Sequence, residues 1–97
     1  MIWTDSYFET FYSDGRTADM TSCVVKIDHL GIRIEYSEGD RLIAYVGEED
    51  GPGHYRLSCP ENGGVAEFHR FYESLMLDGW WNQENYYGMW RVTLQEK

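Results

Sequence analysis

Apolar and polar residues alternate along most of this chain, in short runs separated by clusters of Gly, Asn, Asp and Ser. A period of two is what a strand shows when one of its faces is buried. From Cys23 to Val46 the pattern predicts three strands. Cys23, Val25 and Ile27 alternate with Val24, Lys26 and Asp28, His29-Leu30 turns the chain, and Ile32, Ile34 and Tyr36 alternate with Arg33 and Glu35. Glu38-Gly39 reads as a two-residue hairpin turn, which sets Ile34 opposite Ile43 and Ile32 opposite Tyr45.

After an acidic Gly-Pro loop at 48–53, Tyr55, Leu57 and Cys59 alternate with His54, Arg56 and Ser58 in a fourth strand. Asn62-Gly63 signals a type I′ turn, and pairing across it places Leu57 opposite Phe68 and Cys59 opposite Ala66. Near the end, Trp90, Val92 and Leu94 alternate with Met89, Arg91 and Thr93, in a last strand that folds back through 83–87 onto 77–81. Tyr7 to Tyr12 supplies a first strand, closed by Ser13-Asp14-Gly15.

Residues 65–78 fit two periods. Val65, Phe68, Tyr72, Leu75 and Met76 also recur at helical spacing, and Gly79 would suit the position just after a helix. The Asn-Gly pair before this segment and Trp80-Trp81 after it favour strands. The expected fold is therefore all-β: about eight short antiparallel strands in an up-and-down meander, closing to a small barrel or half-barrel over a single domain, 1–97. The alternative is α+β, with one helix at about 65–78 packed on a curved antiparallel sheet. The meander order and the Gly79-Trp80 dipeptide resemble the calycin class of barrels, the lipocalins and avidins, by architecture only.

Composition narrows the functional classes. Hydrophobic residues make up 42% of the 97, enough apolar surface to offset the ordering entropy that keeps polar chains unfolded. Eight Lys and Arg against 17 Asp and Glu give a formal charge of −9, which repels phosphate backbones and anionic membranes. Direct nucleic-acid binding and membrane association are not expected. An acidic mimic of nucleic acid that inhibits a basic protein is a third functional reading. The opening residues Met1 to Asp5 carry neither the basic region nor the apolar run of a secretory signal, so the expected compartment is the cytoplasm.

Catalytic and metal chemistry find little footing. There is no Gly-x-Ser-x-Gly and no phosphate-cradling loop with a Lys-Ser/Thr pair. Cys23 and Cys59 fall on strands separated by two others in the expected sheet, roughly 14 Å from each other at ~4.8 Å per strand, which favours two buried free thiols over a metal site. No metal and no cofactor is expected. Glu48, Glu49 and Asp50 lack the spacing of a calcium loop, and the neighbours Glu67 and Asp78, or Glu35 and Glu38, are pairs that chance supplies among 17 acids. If the protein is an enzyme, the polar surface cluster His54, Arg56 and His69 is where its chemistry would lie.

The aromatic residues are more informative. Trp80, Trp81, Tyr86, Tyr87 and Trp90 crowd one segment and cannot all point into a small barrel. Adjacent Trp80 and Trp81 must face opposite sides of a strand, and the outward one, with Tyr86 or Tyr87, makes an exposed aromatic patch. The leading expectation is thus a noncatalytic protein-interaction module, monomeric or homodimeric, that uses this patch with its acidic rim. The alternative is a carrier whose interior pocket, lined by Ile34, Tyr45, Leu57, Phe68 and Trp90, holds a small apolar ligand.

Overall fold

The computed structural model describes residues 1–96, and every regular element in it is a strand. The strands are β1 (Ile2–Tyr12), β2 (Thr17–Asp28), β3 (Gly31–Glu38), β4 (Arg41–Glu49), β5 (His54–Cys59), β6 (Gly64–His69), β7 (Met76–Gln83) and β8 (Tyr86–Thr93). Each pairs antiparallel with its neighbour in the chain, and β1 also pairs with β8 from Tyr7 opposite Thr93 to Tyr12 opposite Gly88. The sheet therefore closes on itself and the meander becomes a barrel. Among the described residues there is no helix, and so none long and apolar enough to cross a membrane.

The helical alternative for 65–78 fails. Phe68 lies inside and His69 outside on β6, residues 70–75 form a connecting loop, and Leu77 lies inside on β7. Closure of the sheet decides between the two periods, because a helix here would leave β5 and β8 each with one edge unpaired. Gly79 follows no helix. It sits mid-strand between Phe68 and Trp90, where an added Cβ would lie 1.7 Å from the Glu67 carbonyl oxygen. A glycine facing inward at this point lets two strands approach closely as the sheet coils.

Two registers differ from the expected ones, each by two residues. The β3–β4 turn is Gly39-Asp40, with Gly39 alone of the pair at positive φ (63°) as a type II′ turn requires, so Ile34 faces Tyr45 and Tyr36 faces Ile43. The β5–β6 connection is not an Asn-Gly I′ turn but four residues, Pro60 to Gly63. Asn62 spends its side chain on the Gly64 N–H (2.7 Å), only Gly63 has positive φ, and Leu57 therefore faces Ala66 and Tyr55 faces Phe68. A slip of two keeps every side chain on its own face, so the buried set is unaffected.

The interior is centred on Trp90. Its ring packs against Tyr45 (5.0 Å), Phe8 (5.1 Å), Trp81 (5.7 Å) and, nearly parallel, Phe68 (6.1 Å). Its Nε1–H donates to the buried Thr10 hydroxyl at 3.0 Å, which satisfies the one polar atom it carries inside. Ile34, Tyr45, Leu57 and Phe68 are fully buried around it. Toward the opposite end, buried Ser6 breaks the β1–β2 register and accepts the Gln95 N–H at 3.0 Å, while Arg70 caps Trp3 with its guanidinium 5.2 Å from the ring centre.

Candidate functional site

Strand alternation divides the aromatic cluster between two surfaces. On the outer face, Phe11, Met89 and Trp80 lie directly side by side across β1, β8 and β7. Tyr87 and Val65 flank Trp80 one pleat toward the hairpin turns, on either side of Asn82. All five are exposed, Trp80 at 41% of its surface. From Trp80 a groove crosses the outer faces of β6, β5 and β4, floored by Val65 and Val46 and bordered by Glu67, Arg56, Glu48 and Asp50. Exposed aromatic and sulfur-bearing side chains in one contiguous row are the composition of interface cores.

On the inner face, Trp81 and Trp90 are both 5% exposed. Together with Phe8, Tyr12, Tyr36 and Tyr86 they wall a recess of about 260 Å³ at the end of the barrel that carries the turns at 13–16, 39–40, 60–63 and 84–85. The recess exists because β2 and β3 part company. They pair only from Val24 opposite Glu35 to Asp28 opposite Gly31, so Thr17–Cys23 runs against β1 alone. Ala18 and Thr21 on one lip then face Tyr36, Ser37 and Glu38 on the other. Trp90 is shared between this recess and the expected interior pocket; Ile34, Leu57 and Phe68 lie deeper, in the packed core. Of the five aromatic residues singled out in the sequence, the structure brings Trp80 and Tyr87 together outside and Trp81, Tyr86 and Trp90 together at the mouth.

Phenols line the floor of this end. Tyr45 donates to Gln83 Oε1 at 3.1 Å. Burial pushes its phenol up to about 12, and burial likewise raises Tyr36, with the Tyr45 phenol and Glu38 adding to the effect. Both groups are held protonated by the fold and ionise sooner in the unfolded chain. Their contribution is thus fully present below the unfolded value near 10 and is lost as pH climbs toward the folded one. Urea unfolding between pH 10 and 12 should therefore show stability falling with pH, and Tyr36→Phe should flatten that fall, because it removes one of the raised phenols. A slope unchanged in the variant would place the alkaline sensitivity elsewhere.

His54, Arg56 and His69 do come together on the outer face, where His54 and Arg56 already have partners. His54 and His69 are opposite one another with ring centres 4.5 Å apart. His54 Nε2 lies 3.1 Å from Glu67 and its Nδ1 lies 3.1 Å from the Asp50 carbonyl oxygen, while Arg56 pairs with Asp50 at 3.3 Å. Neither ring nitrogen of His54 is left for a substrate. Cys23 and Cys59 are buried free thiols, with burial pushing Cys23 up to about 12, well away from the thiolate that nucleophilic chemistry needs. Among the described residues no group of three or more His, Cys, Asp and Glu is placed to hold a metal ion.

One exposed feature escaped sequence reasoning. Phe71 and Tyr72, in the β6–β7 loop, are 89% and 93% exposed. The helix-like spacing of Tyr72 with Phe68 and Leu75 suggested a buried face, and the signal against it was the polar pair Glu73-Ser74, with Glu73 in the left-handed region at φ 57°.

The fold and the two aromatic surfaces define a closed, eight-stranded, up-and-down antiparallel barrel with a row of apolar residues outside and an aromatic recess at one mouth. No protein family, curated protein or solved structure matches this chain.

Proposed function

We propose that this protein is a noncatalytic protein-interaction module whose docking surface is the outer row of Phe11, Met89 and Trp80, with Tyr87 and Val65. The observation that carries this reading is the row itself: three large apolar side chains on directly paired strands, exposed together. Its rim sets the partner's chemistry. Glu9 and Glu67 border the row, and the groove beyond Trp80 is edged by Glu48 and Glu49, so the partner presents apolar anchors beside basic side chains. Two further features support an interaction role over the alternatives. Trp90 and its neighbours fill the middle of the barrel, which leaves the carrier reading only the mouth. Asp14, Asp28, Glu35, Asp50 and Asp78 are each paired with a Lys or Arg, which reduces the number of free carboxylates available to a phosphate mimic.

Selection of random peptides displayed against the protein tests the reading without a partner in hand. Enriched peptides should combine aromatic or aliphatic residues with Lys or Arg. Their affinity for a Trp80→Ser/Met89→Ser variant should fall roughly 30-fold, the ~2 kcal/mol that an interface anchor carries. The variant should keep the parent melting temperature within a few degrees, since both side chains point to solvent. Peptides that bind the variant unchanged would contradict this docking surface.

A further inference from the structure

The recess at the mouth has a chemistry of its own. Six aromatic rings wall it: Phe8, Tyr12, Tyr36, Trp81, Tyr86 and Trp90. They meet largely edge to face, with Tyr12 at 85° to Trp81, Tyr86 at 77° to Tyr12 and Tyr36 at 81° to Trp90, which builds a box of rings and not a stacked slab. The turns around this end, with the strand residues next to them, carry Asp14, Glu38, Asp40, Glu61 and Glu84 against Arg16 and Arg41. Glu38 lines the recess itself. Electron-rich ring faces inside a rim of net negative charge favour a cation over a carboxylate or phosphate.

Two independent features point the same way. The chain already places a cation against one of these walls, since the Arg16 guanidinium lies 4.9 Å from the centre of the Tyr12 ring. And Tyr36, only 9% exposed, keeps a hydroxyl that no other described residue hydrogen-bonds, although no buried polar side-chain atom of the described residues is left sealed without a partner. That hydroxyl therefore opens onto the recess and is available to a ligand. At ~30 Å³ for each water displaced, a recess of about 260 Å³ takes a ligand of roughly nine non-hydrogen atoms. The gap between β2 and β3 gives such a ligand a way in from the side as well as from the open end.

We infer that this recess is a binding site for a small organic ammonium ion, held by cation–π contact with the aromatic box, with Glu38 supplying the counter-charge and Tyr36 a hydrogen bond to a ligand hydroxyl. The site is separate from the outer row, and neither depends on the other.

Choline and its uncharged isostere 3,3-dimethylbutan-1-ol are the probes, titrated into the protein by calorimetry and by two-dimensional NMR. Choline should bind at least tenfold more tightly than the isostere. The indole N–H signals of Trp81 and Trp90 should shift on binding, while those of Trp80 on the outer face and Trp3 at the far end stay in place. Glu38→Gln and Tyr86→Leu, both at exposed positions, should each weaken choline several-fold without lowering the melting temperature. Equal binding of the isostere would overturn the inference in favour of a pocket read by shape and apolar area alone. No binding of choline at millimolar concentration, or shifts confined to Trp80, would overturn it outright.

Discussion

Trp90→Ala should lower stability by about 4 kcal/mol, within the range for deleting a buried Trp from a core, and the melting temperature by roughly 20 °C. The size of the effect follows from the position of the ring. Trp90 touches Phe8, Tyr45, Phe68 and Trp81, and its N–H satisfies the buried Thr10 hydroxyl, so truncation opens a cavity at the junction of β1, β4, β6, β7 and β8 and also strands a polar atom. Those strands cannot close around the gap without losing register, because each is held by partners on both sides. A loss of this size is a large share of the 5–15 kcal/mol that a domain of this length holds in total. Thermal unfolding followed by near-UV circular dichroism gives the number, and a loss below about 1 kcal/mol would mean that the barrel does not depend on this ring.

The second large effect comes from adding a single methyl group. Gly79→Ala places a Cβ 1.7 Å from the Glu67 carbonyl oxygen, a backbone atom that cannot move aside, so β6 and β7 must separate where Phe68 and Trp90 pack over them. We expect a cost of about 3 kcal/mol, at the upper end for overpacking. Gly39→Ala is the control. Its Cβ would meet nothing within 4 Å, and only its φ of 63° resists substitution, so the cost should be nearer ~1 kcal/mol. A loss at Gly79 no larger than at Gly39 would contradict the close approach of β6 and β7 at this point.

The pattern of alternation carried the reading of the fold a long way, and its failures have physical causes. β3, β5 and β8 were legible because each has one wet and one dry face, as in Ile32, Ile34 and Tyr36 against Arg33 and Glu35. The first half of β2 was not legible, since Thr17, Ala18, Met20 and Ser22 are all exposed in a segment that borders the recess and is paired with β1 alone. Periodicity is blind to such a segment. Register was misjudged at both hairpins because turn length is set by which residue takes positive φ, a choice between adjacent positions that alternation does not record. The opposite faces of Trp80 and Trp81 could be inferred from adjacency alone. Which of them points outward could not, because it depends on the pairing of Trp81 with Gly88 and Ala66 inside the closed barrel. The recess was invisible for a related reason: its walls come from β1, β2, β3, β7 and β8, and only closure brings those strands to one mouth.

The division of one aromatic cluster into an outer docking row and an inner recess is the claim on which both functional readings stand. Hydroxyl-radical footprinting, with oxidation at each Trp and Met read by mass spectrometry, tests it directly. Trp80 and Met89 should be modified at least tenfold faster than Trp3, Trp81 and Trp90, in line with their exposure. Trp81 oxidised as fast as Trp80 would contradict the account, because the strand would then present both rings to solvent and neither the row nor the recess would exist as described.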